Sequence, residues 1–385
     1  MVKVTNSIYN VGVNDTTIDL FEGQYNVNNK MSYNSYVIMD EKIAILDTVD
    51  KNYFDEWFNN LKEFLGDKKP TYLIVSHMEM DHAANIIKLI EKYNDMIIVG
   101  NVKTFNMIKQ FFNIEIANKL VVKENDTLSL GKHTLSFVFA PFVHWPEVMF
   151  TYDAYDKVLF SADAFGRFGL YEDTSNYLNE ARRYYIGIVG KYGMQVQSVL
   201  KKASVLDINI IAPLHGNILT ENLSYYINKY DIWSKYEVEE EGVLIAYCSV
   251  YGNTKEAALK LHDELIKRNY KNVVCYDLAR SDMSEVISLA FKYSKLVLAS
   301  ITYNNTIFPF MNTFIEGLIE RNYQNRKVAF IENGSWAPIS LKIMKDKMSS
   351  LKNITFLNNN VKILSALNDS SLKQINDLAD ELINK

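Results

Sequence analysis

The stretch TYLIVSHMEMDH, residues 71–82, places four side chains that can bind metal ions directly after an apolar strand. Alternate residues of an extended loop project to the same side, so His77, Glu79 and Asp81 are predicted to point in one direction. His82 turns with the start of the next helix. The stretch therefore predicts a strand that ends in a metal-binding loop.

Three more candidate ligands, His144, Asp163 and His215, each follow an apolar run that reads as a strand. Strand ends at one edge of a sheet converge, so distant ligands can meet there. Four imidazoles and three carboxylates are enough for two divalent ions, with one carboxylate bridging and open positions left for a substrate. Hydrolytic zinc sites favour nitrogen and sulfur, so the additional carboxylate of Glu79 points to iron or manganese.

Each of these residues also has a purely structural interpretation. A single histidine or aspartate after a strand is more often a cap or a satisfied polar contact than a ligand. The cluster of seven reverses that expectation. His133 beside a Gly-Lys turn and His262 on a regular helix keep the structural interpretation, and Met78 and Met80 are predicted to be packing residues.

Composition and charge narrow the class of protein. The 385 residues are 48% hydrophobic and 23% charged, which is typical of a globular protein, and this length favours two domains. The net charge is −5 and the basic residues form no stripe, so nucleic acid is not an expected partner. No signal peptide or membrane span is recognisable, so a cytoplasmic location is expected. Two cysteines, Cys248 and Cys275, exclude a disulfide framework, a CxxC zinc site, a Cys-ligated cluster and a fused rubredoxin.

An acidic patch closed by glycine, residues 236–242, is predicted to separate two domains, 1–240 and 241–385. After it, strands and helices alternate regularly, which predicts a doubly wound parallel sheet with its ligand at the carboxyl ends of the strands. Before it, strands are more numerous and helices are predicted only over 55–65, 83–93 and 223–236. That pattern fits a layered α/β domain with mixed sheets.

The loop Ser249-Val250-Tyr251-Gly252-Asn253-Thr254 lies between the first strand and the first helix of the second domain. A phosphate there would meet backbone N–H groups and the positive end of the helix. The loop lacks the Gly-Lys-Ser/Thr ending of a Walker nucleotide site, and it also lacks GxGxxG. A flavin monophosphate, FMN, therefore fits it better.

Two further loops at predicted strand ends carry small and polar residues that let a flat ring approach the backbone, and Tyr303 and Trp336 are placed to stack on it. Any one loop alone would read as an ordinary turn, but three at the expected strand ends favour a flavin site. The two loops comprise Ser300, Ile301, Thr302, Tyr303, Asn304 and Asn305, then Asn333, Gly334, Ser335, Trp336 and Ala337.

Four short segments resemble the successive motifs of flavodiiron proteins. They are His77-x-Glu79-x-Asp81-His82, Val143-His144-Trp145-Pro146-Glu147, Ser161-Ala162-Asp163-Ala164-Phe165-Gly166 and Ala212-Pro213-Leu214-His215-Gly216. The metallo-β-lactamase superfamily at large has histidine in place of Glu79. The three flavin loops resemble flavodoxin and the C-terminal domain of flavodiiron proteins, so the resemblance covers essentially the whole chain.

The resemblance implies an A-type flavodiiron protein, in which a metallo-β-lactamase-like αββα sandwich precedes a flavodoxin-like domain without a fused rubredoxin. It assigns one iron to His77, Glu79 and His144, the other to Asp81, His82 and His215, and the bridge to Asp163. Asp163, His82 and Glu79 are also assigned to catalysis, although His82 is not a direct ligand in every member. Two departures are that residues 21–25 lack a histidine found in some relatives, and that residues 217–220 lack a common Trp-Arg pair.

The implied activity is reduction of O2 to water, of NO to N2O, or of both, with FMN passing electrons to two irons. Because neither rubredoxin nor an NADH-reductase module is present, a separate donor such as rubredoxin is expected. The resemblance also implies a head-to-tail homodimer or a dimer of dimers, with electrons crossing between chains. The alternatives are a metal-dependent hydrolase with a regulatory flavodoxin domain, which Glu79 argues against, and a redox or gas sensor without turnover.

Overall fold

The computed structural model describes every residue from 1 to 385 and divides the chain into two compact units. The first unit comprises Met1–Asp231 and the second Ile232–Lys385. The predicted domain boundary, between residues 240 and 241, falls in the second unit at the start of the strand Glu240–Tyr247. None of the helices combines the length and the apolar composition that crossing a membrane requires.

Two β-sheets form the centre of the first unit. The seven-stranded sheet has the spatial order Val2–Lys3, Ile8–Asn10, Tyr36–Ile38, Ala44–Leu46, Tyr72–Ile74, Ile97–Gly100 and Lys119–Val121. The five-stranded sheet has the order Thr127–Ser129, Thr134–Phe139, Met149–Asp153, Val158–Phe160 and Ile210–Ala212. Both sheets contain parallel and antiparallel pairs, so they are mixed, as predicted.

Alternation of side chains along the strands builds two apolar layers in this unit. Tyr72 and Ile74 face the five-stranded sheet and pack against residues such as Phe137, whereas Leu73 faces the helices and packs with Trp57. The period of two along a strand explains why one short segment serves both layers. The predicted αββα sandwich is confirmed.

The helices of the first unit are shorter and more numerous than the sequence predicted. The predicted helix over 83–93 is wrong as a single helix, because it is interrupted at Asn85. The side-chain amide of Asn85 donates hydrogen bonds to the carbonyl oxygens of Val49 and Asp50, at 2.7 and 3.1 Å, and its backbone leaves the helical region. The α-helices are Phe54–Leu65, Met80–Ala83, Ile86–Lys92, Val102–Phe112, Tyr177–Tyr184, Gly193–Ala203 and Leu223–Ser234, the last of which ends in the second unit.

A parallel sheet forms the centre of the second unit, as the alternating pattern predicted. Its strands have the spatial order Val273–Asp277, Glu240–Tyr247, Tyr293–Tyr303, Lys327–Asn333, and then Thr355–Phe356 and Val361–Ile363 beside the last of these. The helices are Asn253–Lys267, Met283–Lys292, Pro309–Glu320, Ser340–Met348 and Asp369–Asn384. The strand Glu240–Tyr247 is second in this order, and the three predicted flavin loops lie at the carboxyl ends of three adjacent strands. Residues 300–303 of the second predicted loop still belong to the strand Tyr293–Tyr303.

Candidate metal and flavin sites

The metal-binding loop of the first unit is held by a neighbouring strand end. It follows the strand Tyr72–Ile74, and the carboxylate of Asp47 accepts hydrogen bonds from the backbone N–H groups of Ser76 and His77, at 2.7 and 3.3 Å. Burial raises the pKa of Asp47 to about 6, although these hydrogen bonds oppose the rise. The loop therefore has a fixed path before its first candidate ligand.

Four of the predicted ligands form one group, in which the candidate ligand atoms of His77, Glu79, His144 and Asp163 lie within 4.8 Å of one another. The Nε2 atom of His144 is 3.1 Å from Oε2 of Glu79 and 3.0 Å from Oδ2 of Asp163. The Nε2 atom of His77 is 3.3 Å from each of the same two oxygens. Two imidazoles and two carboxylates thus point at a common position.

The remaining predicted ligands, Asp81, His82 and His215, form a second group. The Nε2 atoms of His82 and His215 each lie 3.2 Å from Oδ2 of Asp81. Asp163 serves this group as well, because its Oδ1 atom is 3.3 Å from Nε2 of His82 and 3.6 Å from Nε2 of His215. The two oxygens of Asp163 therefore face different groups, which is the arrangement of a bridging carboxylate.

Unpartnered buried atoms indicate that these residues fit metal ions. Both carboxylate oxygens of Asp81 and the Oδ1 atom of Asp163 are buried without a hydrogen-bond donor. The Nε2 atoms of His82 and His215 lie only 2.9 Å apart. Buried anionic oxygens without a partner are costly, and cations at these positions would satisfy them.

Residues outside the ligand set orient two of the histidines. The Nδ1 atom of His77 lies 2.8 Å from Oε1 of Glu147, and the Nδ1 atom of His215 lies 2.8 Å from the backbone oxygen of Ser32. Such contacts fix the ring so that Nε2 faces the metal. Glu147 lay within a recognised motif but had no predicted role, and Ser32 contributes only a backbone atom, which leaves no signal in the sequence.

The residues that replace the missing histidine form a small hairpin beside the site. Leu20–Phe21 pairs with Tyr25–Asn26, and the ring of Phe21 packs edge-on against His215 with centroids 5.4 Å apart. Glu22 lies at the turn, and this residue is exposed to solvent. Desolvation of its carboxyl group and the negative charge of Glu79 nevertheless raise its pKa to about 7. Sequence reasoning missed this carboxyl group, because only the absent histidine was recognised there.

The histidines predicted to be structural lie away from both groups. The Nδ1 atom of His133 is 2.9 Å from Asp153 and its Nε2 atom is 2.9 Å from the hydroxyl of Ser7, so both ring nitrogens have partners. His262 lies on the helix Asn253–Lys267 of the second unit. Met78 and Met80 pack in the hydrophobic core, as predicted.

A pocket of about 370 Å³ in the second unit brings the three predicted flavin loops together. Ser365 lines it in addition to the predicted loops and reaches it through hydrogen bonds with Asn333, at 3.0 and 3.1 Å. Gly252 and Ser300 are the residues of the predicted loops that do not line the pocket. The predicted residues that do are Ser249, Val250, Tyr251, Asn253, Thr254, Ile301, Thr302, Tyr303, Asn304, Asn305, Asn333, Gly334, Ser335, Trp336 and Ala337.

The chemistry of this pocket fits a flat, phosphate-bearing cofactor. Gly252, with a φ of 98° that favours glycine, ends the first loop where the helix Asn253–Lys267 begins. The lining contains no lysine or arginine, so a phosphate would depend on backbone N–H groups and the helix N-terminus. Tyr251 and Trp336 are 93% and 83% exposed at the pocket, which leaves both rings free to stack.

Comparisons with known proteins agree with both units. The family model described as ODP family beta lactamase matches residues 31–216. An uncharacterized protein of Methanocaldococcus jannaschii is 30% identical over 322 residues, which cover 82% of this chain and 81% of that protein. A Moorella thermoacetica protein named nitric oxide reductase is 29% identical over 361 residues, which cover 91% of this chain and 90% of that protein.

Solved structures also resemble the whole chain. The crystal structure of the flavodiiron protein from Giardia intestinalis matches with a TM-score of 0.92 and 26% identity, covering 100% of this chain and 97% of that one. The similarity therefore includes the folds of both units. On the strength of these matches, the chain belongs to the family of flavodiiron proteins.

Proposed function

We propose that this chain is a di-iron flavoprotein oxidoreductase that reduces O2 to water, NO to N2O, or both. The observation that carries the proposal is the placement of Asp163, whose two oxygens face two separate groups of ligand atoms. One ion needs only one such group, so the arrangement supports a pair of metal ions. The Moorella relative is named as a nitric oxide reductase, which supports NO as one substrate.

The donor set supports iron rather than zinc. Glu79, Asp81 and Asp163 contribute carboxylates and no cysteine is present, whereas zinc sites use nitrogen and sulfur most often. We therefore assign the seven residues as ligands of two irons.

FMN and ferrous iron, when bound, supply the redox chemistry and the open positions for a gas. The residues of this chain hold the ligands in place and keep water from the site. The rings of Phe21 and Tyr33 pack edge-on against His215, at 5.4 and 5.9 Å between centroids, and Tyr184 is fully buried beside it. Such a shielded pocket limits side reactions of a reduced metal centre.

We further propose that electrons come from a separate protein such as rubredoxin. An iron centre of that type uses four thiolates, whereas this sequence contains two cysteines. Burial raises the pKa of Cys248 and of Cys275 to about 12, so neither is available as a thiolate near neutral pH. An iron centre of the rubredoxin type therefore cannot be formed by these 385 residues, and we propose that a separate protein carries it.

A head-to-tail homodimer, or a dimer of two such dimers, is part of the proposal. Tyr251 and Trp336 expose large rings at the flavin pocket, and exposed apolar groups of this kind are typical of surfaces that a partner covers. A cytoplasmic location is proposed because both cysteines are unpaired.

One set of measurements on the purified full chain tests the function. We expect about two irons and one FMN per chain, together with consumption of O2, of NO, or of both at an amperometric electrode when reduced rubredoxin is supplied. One zinc without iron, together with ester or lactam cleavage, would instead identify a hydrolase. Bound flavin and iron without steady gas consumption would identify a sensor.

A further inference from the structure

An apolar cavity of about 80 Å³ lies in the first unit, apart from the position that the ligand atoms share. It lies between the helix Gly193–Ala203, which contributes Val196 and Val199, and the five-stranded sheet, which contributes Phe150 and Leu159. Alternation along the strands explains its lining, because the neighbouring residues of these strands face the other sheet.

Two residues that line the cavity are direct neighbours, in the sequence, of candidate metal ligands. Val143 directly precedes His144, Ala164 directly follows Asp163, and both line the cavity. They are 1% and 2% exposed, so their side chains are enclosed rather than open to solvent. Two loops that carry candidate ligands therefore each contribute one residue to the lining of the cavity.

The chemistry of the lining, which is almost entirely apolar, disfavours water and favours small apolar molecules. Ser204 and Tyr230 are the only lining residues with polar side chains, and the hydroxyl of Tyr230 already accepts the backbone N–H of Phe165. A buried water needs two to four polar partners, whereas an apolar cavity of ~150 Å³ stays dry and takes up benzene or xenon. A cavity about half that size suits one xenon atom or a diatomic gas.

We propose that this cavity binds the diatomic gas substrate and delivers it to the metal site past Val143 and Ala164. The proposal rests on the proposed function, because only a reaction that consumes an apolar gas would use such a store. O2 and NO carry no charge and partition into apolar space, so a dry cavity beside the ligands raises their local concentration. No bond is made or broken in the cavity itself.

Xenon tests occupancy without any turnover. Crystals of the full chain pressurised with xenon should show one xenon atom between Val199 and Phe150, whether or not the metals are bound. In Val199→Phe, the larger ring should fill the cavity and remove this xenon site. Val199→Leu, a smaller change, should reduce its occupancy and guards against a variant that fails to fold. Absence of xenon from the cavity of the unmodified protein overturns the proposal.

Oxidation kinetics test delivery. In stopped-flow mixing of the reduced, iron-loaded protein with O2, the second-order rate constant should fall several-fold in Val199→Phe and less in Val199→Leu. In steady state, KM for the gas should rise while kcat at saturating gas stays unchanged. Met194→Phe, on the same helix but 81% exposed, is the matched control and should behave as the unmodified protein.

The outcomes separate this proposal from the proposed function. If xenon binds and Val199→Phe excludes it without changing the oxidation rate constant, the cavity does not deliver gas and the proposal is wrong. If neither gas is consumed in steady state, the proposed function fails. Xenon occupancy and the single oxidation step still decide whether the cavity binds and delivers gas.

Discussion

At the scale of single residues, both ligand groups depend on Asp163. Its Oδ2 atom lies 3.0 Å from Nε2 of His144, and its Oδ1 atom lies 3.3 Å from Nε2 of His82. The carboxylate is 1% exposed, so no water can replace it easily. Removing it leaves two groups of imidazoles and single carboxylates that face each other without a shared anion.

We predict that Asp163→Ala abolishes gas reduction and lowers the iron content from about two per chain, while FMN stays bound. The flavin loops belong to the other unit, so they should be unaffected. Metal analysis, flavin absorbance and gas consumption measure the three effects. Asp67→Ala, at an exposed position of the same unit, is the control. Normal turnover of Asp163→Ala would show that this residue does not bridge.

His133 provides a separate, titratable contact in the same unit. Burial lowers its pKa, but the hydrogen bond to Asp153 and the charges of Asp153, Asp156 and Asp40 outweigh burial, so the pKa lies above the usual value of 6.5. A folded-state pKa above the unfolded value means that protonation favours the folded state. This stabilisation is complete below pH 6.5 and is lost as pH rises through the folded pKa.

We expect His133→Gln to lower the free energy of unfolding by about 1.5–3 kcal/mol near pH 6, as for a hydrogen bond to a charged group. The difference from the unmodified protein should shrink as the pH is raised above the folded pKa. Urea unfolding of the full chain at several pH values measures it, with His262→Gln as the control. If the difference in the free energy of unfolding stays constant with pH, the stabilisation does not depend on protonation of His133, and the prediction is wrong.

At the scale of secondary-structure elements, the second unit could be predicted from the sequence almost strand by strand. Apolar runs such as Leu296–Ser300 are buried on both faces of a parallel sheet, so they stand out from the amphipathic helices between them. The short strands Thr306–Ile307 and Thr355–Phe356 were not predicted, because two residues carry no recognisable period.

The first unit was harder to predict because apolar residues outside the buried side of a helix obscure the helical pattern in the sequence. The helix Val102–Phe112 buries Thr104 and Ile108 but also exposes Val102 and Phe111, at 61% and 47%. The helix Gly193–Ala203 follows a π-helical turn, Tyr185–Val189, and a short 3₁₀ turn, which interrupt the helical period. Neither helix was predicted.

The clustering of the candidate metal ligands was predictable because these residues follow strands, whereas their supporting contacts were not. Each candidate ligand stands beside an apolar run, and strand ends bring such residues together. The contact that orients His215 comes from the backbone of Ser32, which is 183 residues away in the sequence. Backbone oxygens occur at every residue, so only the folded chain identifies this one.

The first flavin loop can be tested as an element. Thr254 is buried at the start of the helix Asn253–Lys267, where a phosphate would meet free backbone N–H groups. We predict that Thr254→Glu weakens FMN binding at least about 100-fold, because like charges held together cost several kcal/mol. Thr313→Glu, at an exposed helical position, should bind FMN normally. Fluorescence titration of the flavin-free variants measures the dissociation constant of FMN for each. An unchanged affinity in Thr254→Glu would show that the phosphate does not bind at this loop.

At the scale of the whole molecule, the proposed cofactors belong to different units of the chain. The seven proposed metal ligands lie in Met1–Asp231 and the proposed flavin loops in Ile232–Lys385. In the proposed head-to-tail dimer, the FMN of one chain serves the irons of its partner. A two-fold axis would form this contact twice.

Mixing two inactive variants tests transfer between chains. Asp163→Ala lacks the metal bridge and Thr254→Glu lacks the phosphate site, so we expect neither to reduce gas alone. After the two are unfolded and refolded together with iron and FMN, a hybrid dimer would set one intact flavin against one intact metal site, and activity should return. Hybrids that form and carry FMN yet remain inactive would contradict transfer between chains.

The cavity behind Val143 and Ala164 also has a mechanical consequence. Unfolding eliminates internal voids, and the volume released, roughly 20–100 mL/mol for proteins, makes hydrostatic pressure favour the unfolded chain. We therefore expect the first unit to unfold at a lower pressure in the unmodified protein than in Val199→Phe, as reported by the fluorescence of the fully buried Trp57. An equal midpoint pressure in both would show that the void is not retained in solution. The proposed gas cavity would therefore also make this part of the first unit compressible.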